Sequence, residues 1–307
     1  MPFDSPQFTD ETKAREYLEA IRWPTGPVCP HCGSCDGAYR LEGSKHRPGL
    51  LKCKDCREQF SVTVGTVFER SKIPLTKWLL ATHLLCSSKK GISSHQIART
   101  LGVTYKTAWF MTHRIREAMA PAKGAPPVGG EGKTVEADET YLSKSSKTRK
   151  PGGLPLNAKP APQVFSLVER GGNIRSMYLD DKNVRGALAE HLHDASRLVT
   201  DGAQTYKFVM PTPAQHESVD HSKYEWARGD VHTNTLENFF SIFKRGLIGT
   251  YQHMDKKHLS RYLAEFDFRR NNRAKLGIND VERTAIALKG IEGKRLTYKI
   301  SNPAVAE

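Results

Sequence analysis

No stretch of this 307-residue sequence holds the ~18 consecutive apolar residues a helix needs to cross a bilayer, which excludes a helical membrane span. The opening MPFDSPQFTDETKAREYLEA lacks the apolar core of a secretory leader and reads as a polar, acidic helix. The expectation is a cytoplasmic chain, where disulfides are rare. Cysteine is scarce, six in all, so each needs a reason. Acids are in deficit too: 33 Asp and Glu stand against 47 Lys and Arg, a net charge of +14. That imbalance favours a polyanionic partner, most simply nucleic acid. A long basic amphipathic helix with an aromatic face, which a membrane-surface binder would carry, is missing. With 38% apolar residues and a mean hydropathy of −0.55, the chain suits a polar-surfaced protein of roughly two domains.

Four of the six cysteines form two C-x2-C knuckles, Cys29-Pro-His-Cys32 and Cys53-Lys-Asp-Cys56. Each knuckle offers two thiolates from one tight turn, and four thiolates fill a tetrahedral Zn2+ with no open position. The metal is expected to be structural. Cys35, His31 and His46 are rival ligands, and the symmetric spacing favours Cys32. AYRLEG, LLKCKD and QFSVTVGTVF alternate as the short strands of a ribbon. Cys86, set among leucines, reads as a small buried hydrophobe.

From Ile73 to Met119 the pattern is helical. Pro74 opens one helix through Trp78 and Leu85; Ser93 or Ser94 caps a second; Gly102 makes a turn, and Thr104 caps a third containing Trp109, Ile115 and Met119. Helix, glycine turn, helix is the layout of a helix-turn-helix, with Tyr105, Lys106 and Thr107 beginning the recognition helix. A helical hairpin that binds nothing has the same layout; the basic charge favours DNA. APAKGAPPVGGEGK at 120–133 is a linker.

Beyond it, TVEADETYL reads as a strand with Glu136, Asp138 and Thr140 on one face and Val135, Ala137 and Glu139 on the other. The basic stretch Ser143–Pro162 has no apolar period and is either a disordered insertion or a DNA-contacting arm. Val164–Glu169 and Ile174–Leu179 flank Gly171-Gly172-Asn173 as a hairpin. A helix over Asn183–His193 and a strand over Arg197–Thr200 closing at Asp201 follow, then a short element at Tyr206–Val209 and a strand over His216–Lys223. In His232–Thr250, Leu236, Phe239, Phe240, Phe243 and Leu247 mark a buried helix face, while Asn234, Glu237, Ser241 and Lys244 share a polar one. A last amphipathic helix covers Lys256–Asn272. Strand, hairpin, helix, strand, strand, helix is the order of an RNase H-like domain.

That order brings Asp138, Asp201 and Glu237 together. Phosphoryl transfer at a phosphodiester needs charge neutralised on the attacking and leaving oxygens, which two Mg2+ ions supply, and hard Mg2+ takes carboxylate oxygens. Lys244, two turns beyond Glu237, and the adjacent Arg245 are placed to meet DNA phosphates. Taken singly, each acid reads as a surface carboxylate or a helix cap; the catalytic reading comes from the three together with the zinc ribbon, the helix-turn-helix and the basic charge.

In these residues the chain resembles the bacterial insertion-sequence transposases with an N-terminal zinc ribbon and a DDE-type RNase H-like domain, the IS1595 group with its ISXO2-like transposases. VEADETYL, LVTDGAQTY, VHTNTLENFFSIFKRGLIGTYQHM and HLSRYLAEFDFRRNNR carry the resemblance. It implies cutting at terminal inverted repeats and joining of the freed 3′-hydroxyl to target DNA, with Mg2+ or Mn2+ as catalytic metal, structural Zn2+, and at least a homodimer on double-stranded DNA. It makes Asp138 and Asp201 metal-binding catalytic residues. For the third position Glu237 has the charge and the seven-residue step to Lys244; some members of the group use asparagine, and Asn234, one turn earlier on the same face, is its rival. Glu136 and Glu139 are rivals of Asp138. A zinc-ribbon and helix-turn-helix regulator with an inactive nuclease-like domain is the alternative function, and a structure-specific nuclease that never joins strands is a third.

The expected architecture is α+β and multidomain: a helix and zinc ribbon (1–64), a helix-turn-helix region (65–120), a linker (121–133), an RNase H-like catalytic domain with a mixed sheet (134–280) and a C-terminal tail (281–307).

Overall fold

The computed structural model describes residues 2–122, 124–142, 162–179, 183–206 and 214–297. The chain divides into two compact units, Met1–Ala120 with Ala274–Glu307, and Pro121–Arg273. Among the described residues no helix is long and apolar enough to cross a membrane. Residues 143–161 of the basic stretch and 207–209 of the element expected after Tyr206 lie outside the described residues.

In the first unit, α1 (Pro6–Thr9) and α2 (Glu11–Arg22) precede a three-stranded antiparallel sheet of β1 (Ala38–Arg40), β2 (Leu51–Cys53) and β3 (Gln59–Phe60). Asp10 caps α2 by accepting from the Lys13 N–H at 2.8 Å. Then come α3 (Leu75–Ser87), α4 (Ser94–Leu101) and α5 (Tyr105–Met119). Ser93, not Ser94, caps α4, and Thr104 caps α5. Gly102 between them is left-handed (φ 59°, ψ 48°), a conformation that costs a residue without Cβ nothing. Trp78, Leu79, Leu85 and Cys86 are buried on α3, in line with the reading of Cys86 as a hydrophobe.

The stretch read as a C-terminal tail contains a capped helix, α9 (Asp280–Lys289), whose Asn279 and Glu282 form a reciprocal capping box. Its Thr284 hydroxyl pairs with buried His83 of α3 at 3.0 Å, and Arg283 donates to the Cys86 carbonyl. The chain therefore leaves the first unit once and returns to it. The 3.6-residue period of VERTAIAL is short and follows a polar loop, which is why sequence alone leaves it as a tail.

The second unit is a five-stranded mixed sheet in the order β6-β5-β4-β7-β8. β4 (Thr134–Tyr141), β5 (Gln163–Glu169) and β6 (Ile174–Leu179) run antiparallel as a meander; β7 (Arg197–Asp201) and β8 (Gln215–Val219) run parallel to β4. The parallel crossover is α6 (Val184–His191), whose Val184, Ala187 and Leu188 pack on Val135, Ala137, Phe165 and Leu167 from one face of the sheet. The other face is covered by α7 (Asn234–Gly246) and α8 (Leu259–Asn271): Leu236, Phe239, Phe240 and Phe243 meet Val164, Val168, Leu263 and Phe266. β8 ends four residues earlier than the sequence suggests, because the Asp220 carboxylate accepts from the Ser222 N–H and turns the chain into a short 3-10 helix.

α8 departs from its expected amphipathic form. It buries Glu265, Asp267 and Arg269 as well as its apolar residues. The two acids find donors inside the unit: Arg269 and the Tyr251 hydroxyl donate to Glu265, and Ser176 donates to Asp267 through its N–H (2.6 Å) and hydroxyl (2.7 Å). Burial pushes the Asp267 carboxyl up to about 7.

Candidate active site and metal centre

The thiols of Cys29, Cys32, Cys53 and Cys56 all lie within 4.8 Å of one another, and among the described residues no other group of His, Cys, Asp or Glu is gathered in this way. Closest are Cys29 and Cys56 (3.6 Å) and Cys32 and Cys53 (3.7 Å), so each knuckle faces the other. Backbone N–H groups of Cys56 and Asp55 point at the Cys53 sulfur, favour its thiolate and lower it to about 7. Four convergent sulfurs with amide donors around them fit a structural Zn2+. Cys35 stands outside the set, exposed, its sulfur near the Gly33 carbonyl.

The acidic site is assembled by sheet register. Ala137 pairs with Thr200, so Asp138 and Asp201 are the next residues on adjacent parallel strands, where the pairing of β4 with β7 stops. Asp138 shares its face with Ser166, its partner on β5, and that face is the one α7 covers. One oxygen of each aspartate is held locally: Asp138 accepts from the Glu139 N–H at 2.7 Å, Asp201 from the Ala203 N–H at 3.1 Å. Burial, together with the negative charges of Asp201, Glu139 and Glu237, pushes the Asp138 carboxyl up to about 7. Asp201 and Glu237 are thus each within electrostatic reach of Asp138. Glu237, Asn234 and Lys244 are exposed on α7, with Lys244 about 10 Å further along the axis. Arg245 folds back, donating to Ser241 at 2.6 Å. Among the described residues these carboxylates are not gathered as the thiols are, so it is the like charge around Asp138, rather than a formed ligand set, that a hard divalent cation would relieve.

The rivals of Asp138 have other occupations. Glu139 points to the α6 face, half-buried, with the buried Tyr206 hydroxyl aimed at it without a fully formed hydrogen bond. Burial and the charge of Asp201 raise the Glu139 carboxyl, and burial beside Glu139 raises the Tyr206 phenol well above its ordinary value. Glu136 is fully buried. Its carboxylate accepts from Arg170 Nε (2.8 Å), the Thr235 hydroxyl (2.8 Å) and the N–H groups of Thr235 (2.9 Å) and Leu236 (3.2 Å). Thr233 makes no side-chain cap, so Glu136 is the N-terminal cap of α7, supplied from the sheet. Glu11 does the same for α3, accepting from Leu75 and Thr76 N–H groups where Pro74 has no cap to offer. Sequence reasoning missed this role of Glu136. The available signal was a glutamate on the Asp138 face combined with a helix that starts without its own cap.

At the other expected DNA surface, Tyr105 and Lys106 are exposed at the start of α5. Tyr105 stacks on His95 of α4, ring centroids 4.2 Å apart, while Thr107 is half-buried and shares a 2.9 Å hydrogen bond with the capping Thr104.

Comparison with known proteins gives two family matches and a relative. Residues 129–271 match the model of the ISXO2-like transposase domain, and residues 9–59 match the transposase zinc-ribbon domain. A protein of Halobacterium salinarum described as an uncharacterized protein in transposable element ISH50 is 31% identical over 279 residues, covering 86% of this chain and 92% of that protein.

Proposed function

This chain belongs to the ISXO2-like transposase family, and from that premise we propose that it binds the ends of a mobile element, cleaves phosphodiesters there and joins the freed 3′ ends to target DNA. The reading rests most on Asp138 and Asp201 following a shared pairing of parallel strands, with the charge of Glu237 acting on Asp138. The sheet order, a meander continued by two parallel strands, supports an RNase H-like identity for the second unit.

In this proposal Asp138, Asp201 and Glu237 would hold two Mg2+ or Mn2+ ions, whose positive charge would supply the electrostatic stabilisation that phosphoryl transfer needs. Asn234 is the alternative third ligand. Glu136 fixes the start of α7, and with it the height of Glu237 over the sheet. Lys244 and Arg245 meet phosphates beside the acids. In cleavage a water oxygen attacks phosphorus and the 3′-oxygen leaves as a hydroxyl; in joining, that hydroxyl attacks a target phosphodiester and displaces its 3′-oxygen. Tyr105, Lys106 and Thr107 begin a recognition helix for the element ends, Zn2+ on the four cysteines keeps the ribbon folded, and action on two ends requires at least a dimer. Thr107, tied into its own cap, contributes positioning rather than base contact.

Asp201→Ala is expected to abolish Mg2+-dependent cleavage of DNA bearing the element's ends while leaving end binding intact. Cleavage that survives the substitution removes Asp201 from the site. If wild type binds ends and never cuts them, the regulator reading replaces the enzyme; if it cuts ends but a pre-cut end is never joined, the structure-specific nuclease does.

A further inference from the structure

The turn between α7 and α8 combines features that neither the acids nor the core explain. α7 does not stop at Gly246 but widens into a π-turn, Leu247–Tyr251, a rare element that needs a local reason to persist. Ile248 on this turn is 75% exposed, more than any other aliphatic side chain among the large exposed hydrophobics. Gly249 beside it has open space where a side chain would stand. The turn closes at Gln252, a non-glycine residue with φ 58°, a strained conformation held by its surroundings. The partly buried Tyr251 and Met254 pack into the core under it, and Tyr251 is anchored by its bond to buried Glu265. The apolar tip is therefore presented on a fixed base.

Cations flank the tip in sequence. Lys244 and Arg245 precede it and Lys256 and Lys257 follow it, all exposed, with Asp255 the one acid between Lys244 and Arg261. Asp255 is engaged with Lys257 at 3.5 Å, and Lys244 and Lys256 have no acid in ion-pair reach among the described residues. An aliphatic side chain held out beside cations, two of them without an acid partner among the described residues, suits a polyanion with an apolar interior, which describes duplex DNA: phosphates outside, stacked bases within. From Glu237 to Ile248 the helix rises about 16 Å, the length of roughly five base pairs.

We propose that the α7–α8 turn is a DNA-bending contact, in which Lys244, Arg245, Lys256 and Lys257 hold phosphates while Ile248 wedges into the minor groove some five base pairs from the phosphate at the acids. The proposal rests on the transposase reading above. A wedge of this kind unstacks one base step and gains a bent duplex that follows the protein surface. It would also favour target sites that are already easy to kink.

The test uses the full-length protein with Mg2+ omitted. DNA carrying an element end is labelled at both termini for fluorescence energy transfer, and binding is titrated at several salt concentrations. Ile248→Ala, exposed and so without a packing role, is expected to lose the bend seen with wild type and to regain affinity on DNA carrying a mismatch at the wedge position. Lys244→Gln/Lys256→Gln is expected to reduce the slope of log K against log salt by about 2, whereas Lys133→Gln/Lys223→Gln, which removes two lysines already ion-paired to Glu169 and Asp220, changes it by less than 1. An unchanged bend with Ile248→Ala overturns the wedge, and an unchanged slope with the Lys244 and Lys256 pair overturns the phosphate contacts. Wild-type cleavage with Mg2+ is scored separately: its failure counts against the transposase reading, while the bend and the slope still decide the turn.

Discussion

In the cysteine cluster each pair of ligands comes from a single C-x2-C turn, so only two knuckles must meet; in the acidic cluster the residues come from β4, β7 and α7, and the cap that aligns them, Glu136, reaches Thr235 across 99 positions. The first site is local chemistry that a metal can complete. The second exists only when the sheet register and the helix cap are both in place, and it holds like charges together against their repulsion. The cysteine site is therefore expected to depend on its ion for folding, and the acidic site to be folded without one and strained by its own charge. Four substitutions break or sharpen that contrast.

The largest effect is expected at the cysteines. Cys53→Ser should lower zinc from one ion per chain to near none in metal analysis and unfold the ribbon, since thiolate-bound Zn2+ accounts for about 10 kcal/mol or more of folding energy in such sites. A chelator should do the same to wild type while leaving circular dichroism of the second unit largely unchanged. One zinc per chain retained in Cys53→Ser moves the ligand set to include Cys35 or a histidine.

Next is Glu136→Ala. It leaves Arg170 and the first N–H groups of α7 without their anion inside the protein, and removing one partner of a buried pair costs about 3–5 kcal/mol. Urea unfolding should report that loss, and Glu136→Gln, which keeps an acceptor oxygen, should restore part of it. Equal stability of the alanine variant and wild type would mean that α7 is held by its phenylalanines alone.

Asp138→Asn is expected to act in the opposite direction. The Asp138 carboxyl sits at about 7 in the folded chain against an ordinary 3.8, so the folded state holds the proton more tightly. The associated stability is fully present below 3.8, declines as pH rises and is gone above 7. Asparagine removes the charge, so in the absence of divalent metal the variant should exceed wild type by about 1–2 kcal/mol at pH 8, allowing for solvent screening, with the gap closing toward pH 4. A gap that widens on acidification contradicts the charge account of the acidic cluster.

The smallest effect is expected from Cys35→Ser. Cys35 is exposed and outside the thiol cluster, so zinc content should stay at one per chain and stability within about 0.5 kcal/mol.

What was legible in the sequence follows the same contrast. The knuckles, the cap at Thr104 and one of the two caps expected at Ser93 or Ser94, the Gly102 turn and the phenylalanine face of α7 depend on neighbours within a few residues, and the structure has them where the spacing puts them. Local pattern also carried the Gly171–Asn173 hairpin. It could not show that α9 packs with α3, that α8 is buried on every side around Glu265 and Arg269, or that Glu136 caps a distant helix, since each is a contact between residues tens of positions apart. Glu136 is instructive because it lies on the same strand face as Asp138 and has the same charge. Only the partners around it separate a buried cap from an acid left open to a metal.

The most direct measurement is Mg2+-dependent cleavage of labelled DNA bearing the element's ends, comparing wild type, Asp138→Asn, Asp201→Asn, Glu237→Gln and Asn234→Ala under one condition. The account predicts cleavage by wild type and Asn234→Ala, and none by the two aspartate variants or Glu237→Gln. Loss with Asn234→Ala and retention with Glu237→Gln would move the third ligand one turn back along α7; cleavage by either aspartate variant would contradict the site itself.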